Sequence, residues 1–84
     1  MFEITEVIVD EQNLVNKIKV NFETISGDIF EKSFDFPFSM TKQGITNFLE
    51  NFYALNYSVI DAYTENKKEI QTLIGFKGGA SNGW

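Results

Sequence analysis

The feature that most constrains the fold is a strict alternation of apolar and polar residues in two neighbouring segments. In the first segment, Val15–Thr24, the apolar residues Ile18, Val20 and Phe22 alternate with Lys or Asn. A period of two residues is typical of a β-strand with one buried face. Four phenylalanines share one register between Phe30 and Phe38. Because Ser26-Gly27-Asp28 has the composition of a short hairpin connection, the two segments predict an antiparallel pair.

One further strand precedes this pair in the chain, and a helix follows it. The segment from Phe2 to Val9 is rich in β-branched residues and is followed by four turn-forming residues, which predicts a first strand with room for a bulge near Glu6. Pro37 ends the third strand, because proline cannot donate to a ladder. Apolar residues then recur with a helical period, which predicts a helix over about 41–55 that stops at Asn56.

The segment after the helix has two interpretations. Tyr57–Thr64 and Glu69–Phe76 are read as two further strands around the polar residues 65–68, although the second is short enough to be helical. The predicted order is β-β-β-α-β-β, an α+β domain over residues 1–77 with an antiparallel sheet of about five strands and one amphipathic helix on one face. Residues 78–84 form a glycine-rich tail.

A single helix covers only one face of such a sheet. The second face is then expected to expose Val7, Val9, Ile25 and Ile60, together with one register of Tyr57 and Tyr63, and an apolar patch of this kind marks an interaction surface. Alternatively, the sheet curls and buries these residues itself.

The composition argues against catalysis. The 84-residue chain contains no His, Cys or Arg, so it lacks the usual proton-transfer side chain, thiol nucleophiles, His/Cys zinc sites and guanidinium clamps. No paired carboxylates in an apolar setting and no activated serine motif are visible. We therefore predict no catalytic residues, no metal site and no cofactor.

The charge balance limits the partners. A net charge of −5 argues against direct binding to nucleic acid or to an anionic membrane. Asp28, Glu31 and Asp35 lie around the second hairpin, where they form either a solvated strand face or an anionic strip for a basic partner. Residues 1–6 lack the basic and apolar regions of a signal peptide and no long apolar segment occurs, which predicts a bacterial or host-cell cytoplasmic location.

Two functions remain open at this stage. The first is a small acidic non-enzymatic protein-interaction module, encoded by a phage or mobile element of a low-GC bacterium and acting as an inhibitor or as a structural or accessory factor. The second is a homodimeric small-ligand-binding or accessory domain. Trp84, the terminal aromatic residue, either packs on the domain or anchors a partner. The candidate partner-binding residues are Trp84, Lys77, Asp28, Glu31, Asp35, Val7, Val9 and Ile60.

Overall fold

The computed structural model describes residues 1–79, which form a three-stranded antiparallel sheet crossed by one long helix. The strands are β1 (Phe2–Asp10), β2 (Val15–Glu23) and β3 (Ile29–Pro37), and the helix is α1 (Lys42–Gln71). The strand order is β1-β2-β3, so both β1 and β3 are edge strands. The α+β class predicted from the sequence is confirmed. The prediction of about five strands is wrong, because residues 57–71 continue the helix.

The two hairpins follow from the local sequence. In the first, Asp10 accepts a hydrogen bond from the backbone N–H of Asn13 at 3.1 Å, and Leu14 adopts a left-handed φ of 57°. In the second, Gly27 has a φ of 87°, a conformation that L-residues with side chains rarely adopt. A bulge lies at the predicted position, between Ile4 and Glu6. It shifts the register of β1 by one residue, so that Val7 lies opposite Ile18.

The helix begins at a conventional cap and is longer than the sheet. Thr41 is the N-cap, and its hydroxyl accepts a hydrogen bond from the backbone N–H of Gly44 at 3.0 Å. A 30-residue helix is about 45 Å long, whereas a nine-residue strand spans about 30 Å. The last turns of α1 therefore extend beyond the sheet, which agrees with the elongated shape of 61 × 32 × 18 Å.

The core is a small aromatic cluster between β2, β3 and α1. Phe22 is fully buried, and its ring lies 5.4 Å from that of Phe52 and 5.6 Å from that of Tyr53. The buried apolar residues of the described chain are Ile18, Val20, Phe22, Phe36, Leu49 and Ile60. The predicted burial of the alternating register of β2 is thus confirmed. Six residues are a small core, and several large apolar side chains of α1 remain exposed.

Polar contacts fasten α1 to the ends of the strands. The Tyr53 hydroxyl donates to the Glu23 carbonyl oxygen at 2.6 Å and accepts from the Met1 amino group at 2.8 Å. Partial burial, followed by the neighbouring Tyr57 and Glu23, raises the pKa of Tyr53. Farther along the helix, Asp61 accepts a hydrogen bond from the backbone N–H of Ile25 at 3.0 Å. These contacts fix the helix against the carboxyl-terminal end of β2 and the start of β1.

Candidate interaction surface

The two sides of α1 face different edges of the sheet. Phe48 packs against the Phe34 and Phe36 rings of β3, at centroid distances of 5.8 and 5.3 Å. Tyr53, on the opposite side of the helix, packs on the Phe2 ring of β1 at 5.8 Å. Nearer the carboxyl end, Tyr63 packs on β3 through an edge-on contact. The side of α1 that carries Phe48 and Tyr63 is therefore the side that faces the β3 edge.

Large apolar side chains continue along this side without covering partners. Leu55 is 82% exposed and Val59 is 65% exposed, although both lie in the middle of the helix. At 100° per residue, they fall within about 80° of arc on α1 together with Phe48, Tyr63 and Ile70. We call this set the β3-side stripe; it consists of Phe48, Leu55, Val59, Tyr63 and Ile70, all of them exposed.

The β3-side stripe borders an open groove. Val59 and Tyr63 line it from the helix, and Phe30 and Lys32 line it from β3, around a volume of about 400 Å³. The Lys32 ammonium lies 5.3 Å from the centroid of the Phe34 ring. The groove therefore combines apolar walls with one cation, a composition that suits a partner carrying apolar side chains and an acid.

The apolar surface extends past the sheet at the carboxyl end of the helix. Leu73, Ile74 and Phe76 follow the C-cap Thr72 in a short turn, and all three are exposed. Their position follows from the length of α1, since this part of the chain lies beyond the strands. Together with the β3-side stripe, these side chains make the carboxyl end of α1 an exposed apolar region.

Val7 and Val9 lie on the face of the sheet that carries the helix. The bulge in β1 places Val7 opposite Ile18 and Val9 opposite Asn16. Both valines remain exposed because α1 lies toward β3 and leaves the end of β1 uncovered. Val7 lines a second groove of about 410 Å³ with Met40 at its far side. The prediction that these valines belong to an apolar second face is therefore wrong in its placement.

The second face of the sheet is mainly polar, and only Ile8 and Ile29 among its described strand residues are large exposed apolar side chains. Its residues pair in register as Glu6 with Lys19 and as Lys17 with Asp35, and both pairs form ion pairs, at 3.5 and 3.4 Å. Exposed ion pairs of this kind keep a strand face in solvent. Glu31 lies on the same face and is exposed.

Asp28 is separated from the other two predicted acids. It lies in the second hairpin and forms an ion pair with Lys68 of α1, which in turn contacts Glu65 at 3.5 Å. The hydrogen bond from Lys68, followed by that from Ser26, lowers the pKa of Asp28, and the same pair raises the pKa of Lys68. Asp28, Glu31 and Asp35 therefore do not form one continuous anionic strip.

The remaining predicted residues have different positions. Ile60 is 4% exposed and belongs to the core, so its assignment to an exposed sheet face is wrong. Lys77 is exposed, just beyond the last turn. Trp84 lies outside the described residues, as do residues 80–83 of the predicted tail.

The β3-side stripe was missed because the sequence interpretation ended the helix at residue 55. A usable signal is present in the sequence. Tyr53, Tyr57, Ile60 and Thr64 follow one another at intervals of four, three and four residues, which indicates one side of a helix rather than a strand. In the structure, all four are buried or half-buried. Tyr57–Thr64 also lacks a clean alternation, since Val59 and Ile60 are adjacent.

Within residues 1–79, no three His, Cys, Asp or Glu side chains are grouped so that they could hold a metal ion. In the same part of the chain, no helix is both long and apolar enough to cross a membrane. No protein-family profile, curated protein or solved structure matches the chain.

Proposed function

We propose that this protein is a small non-enzymatic protein-interaction module that binds its partner through the β3-side stripe. The observation that carries the proposal is the exposure of Leu55 and Val59 in the middle of a 30-residue helix. Both residues lie in a segment whose opposite side is anchored to the sheet through Ile60. The stripe is thus held on a fixed scaffold, which lowers the entropic cost of binding.

The chemistry of the chain supports binding over catalysis. Its titratable groups are carboxylates, lysines and tyrosines, and those with shifted pKa values among the described residues take part in contacts at hairpins and strand ends. Such contacts support the fold and need no catalytic role. An apolar groove such as the one beside the β3-side stripe is, in contrast, a common site for the apolar face of a partner's helix.

The cellular setting belongs to the same proposal. The chain is rich in Phe, Ile, Lys and Asn, whose codons are rich in A and T, and it lacks His, Cys and Arg. These features suit a module encoded by a phage or mobile element and acting in the cytoplasm of a bacterium or host cell on a host or virion protein.

A matched pair of variants tests the proposal. Val59 and Val7 are both exposed valines, at 65% and 56%, but they lie on opposite sides of α1. Tagged wild-type protein, Val59→Glu and Val7→Glu are used for affinity capture from the cell that encodes the gene, with mass spectrometry of the bound proteins. We expect the wild type and Val7→Glu to retain the same partner and Val59→Glu to lose at least 90% of it, since a buried charge opposes apolar contact.

The capture result has clear contrary outcomes. Far-UV circular dichroism first establishes that all three proteins are folded. Equal capture by Val59→Glu and the wild type would refute the stripe as the binding surface. Loss with Val7→Glu alone would move the site to the β1-side groove.

A further inference from the structure

We propose that the partner that covers the β3-side stripe is a second copy of this chain, whose helix packs antiparallel to the first. This inference rests on the proposed binding role of the stripe and names its occupant. A two-fold symmetric contact requires that the same patch be complementary to itself. Three features support a second copy as the occupant: the area of the stripe, the spacing of residues along this side of α1, and the charges next to the stripe.

The area of the stripe is close to what a stable dimer needs. Its five residues and the adjacent Leu73 are between 42% and 82% exposed. Since large apolar residues each present on the order of 200 Å² when fully exposed, the six leave about 700 Å² uncovered. A standard interface buries about 800 Å² on each partner. A second stripe therefore covers these residues without requiring any larger surface.

The spacing along the helix is that of a two-helix seam. Starting at Phe48, steps of four and three residues lead through Phe52, Leu55, Val59 and Ala62 to Asn66, and then to Glu69 near the end of α1. This 3-4 spacing is the pattern by which paired helices interlock side chains. Asn66 is the first polar residue in the seam, and an amide within such a seam favours one register over the others.

Glu69 in the seam and Lys32 on the neighbouring strand β3 select the antiparallel orientation. In a parallel pair, Glu69 would lie directly beside Glu69 of the second copy, which is a like-charge contact. In an antiparallel pair centred near Ala62, Glu69 lies opposite Leu55, at the groove that Lys32 lines with Val59. Among the described residues, neither Lys32 nor Glu69 has an ion-pair partner within its own chain. In the antiparallel arrangement, Lys32 of each copy forms an ion pair with Glu69 of the other copy, which gives two such pairs per dimer.

The neighbouring strand edge is less suitable for self-pairing. The backbone N–H of Phe38 donates to the carbonyl oxygen of Leu14, which precedes β2. The backbone N–H and C=O groups of the even-numbered residues of β3 therefore bond to β2, and those of the odd-numbered residues point away from the sheet. Of these outward positions, Pro37 has no N–H to donate. Lys32, on the helix side of the same strand, is an inward-pointing charge of the kind that discourages edge pairing. The helix side is therefore the better contact surface.

Sedimentation equilibrium measures the association directly. We expect wild-type chains of 9.6 kDa to reach twice that mass between about 1 and 300 µM. Val59→Glu should raise the dimer dissociation constant by about 30-fold or more, because the charge is placed within the contact. Val7→Glu serves as the matched control and should change the constant less than about threefold.

A charge exchange tests the orientation. Lys32→Glu and Glu69→Lys should each weaken the dimer by about 10-fold, since both put like charges together at two symmetric places. The double variant should recover to within about threefold of the wild type. Failure of the double variant to recover would refute the antiparallel arrangement.

Cross-linking gives an independent readout, because the chain contains no cysteine. Ala62→Cys lies at the centre of the proposed pair and should form a disulfide between two copies under mild oxidation. Leu55→Cys should not cross-link to itself, since it lies opposite position 69 of the second copy. Cross-linking of Leu55→Cys and not of Ala62→Cys would contradict the antiparallel pair.

The outcomes separate this inference from the proposed function. A wild-type chain that remains monomeric throughout the concentration range overturns the second copy as the occupant. Capture that still depends on Val59 would then leave the stripe as the binding surface for a different protein. Loss of both dimerisation and Val59-dependent capture would refute both proposals.

Discussion

Truncation of Phe22 tests whether the fold depends on the small aromatic core. This ring is fully buried and contacts rings of the two other strands and of α1, the closest being Phe52. Removing it in Phe22→Ala loses about 2–3 kcal/mol of transfer free energy. A residual cavity of about 70 Å³ adds about 1.7 kcal/mol at 24 cal/mol per Å³. We therefore expect the free energy of unfolding to fall by about 4 kcal/mol.

The conservative variant keeps this test informative. A domain of this size has a free energy of unfolding of about 4–12 kcal/mol, so Phe22→Ala alone can unfold the chain. Phe22→Leu should lose only about 1–2 kcal/mol, because most of the apolar volume is kept. Phe38→Leu is the control, since that ring is 41% exposed and should change stability by less than about 0.5 kcal/mol.

Urea unfolding followed by circular dichroism measures both variants at one protein concentration, because self-association would stabilise the folded chain. Equal effects of Phe22→Leu and Phe38→Leu would refute the central position of Phe22 in the core. A change in the denaturant slope would instead indicate that the variant altered the compactness of one of the two states.

Two further predictions concern the helix and its contact with the second hairpin. Ser58→Pro should lower the free energy of unfolding in urea by about 3 kcal/mol or more, because Ser58 lies inside α1. The control Lys42→Pro, at the first helical position, should lower it by less than about 1 kcal/mol. Similarly small losses in both variants would contradict a continuous helix. The stabilising contact of Asp28 with Lys68 should be fully present above about pH 4, the range of the unfolded carboxyl, and be lost as the pH falls through the lowered pKa of Asp28. The urea midpoint of Asp28→Asn should therefore lie below that of the wild type at pH 6, and the difference should shrink as the pH falls below about 4. A difference independent of pH would exclude the ion pair as its cause.

The strands were predictable because their information is local. The alternation of Ile18, Val20 and Phe22 with polar residues indicates which face of β2 is buried. A shift of the pairing register of β2 by one residue would expose all three apolar side chains. Gly27 similarly determines the second hairpin, because its positive φ suits glycine. The position of the bulge in β1 was also predictable, but its consequence for Val7 required the observed pairing.

The carboxyl-terminal half of the helix was not predicted, because its local signals conflict. Tyr57, Val59, Ile60 and Tyr63 have high β-propensity, and propensity alone favours strands here. Burial of Ile60 and Thr64 against the sheet favours the helix instead. Tertiary packing commonly overrides propensities that amount to a few tenths of a kcal/mol per residue.

The sequence by itself determined the three-strand meander, the start of the helix and a surface chemistry without His, Cys or Arg. Those properties depend on residue type and on neighbours along the chain. Only the tertiary structure decided which apolar residues remain uncovered: Ile60 is buried and Val59, one position earlier, is exposed. The physical reason is that one helix can contact the sheet along only one side, so the placement of α1 toward β3 divides its apolar residues between the core and the β3-side stripe.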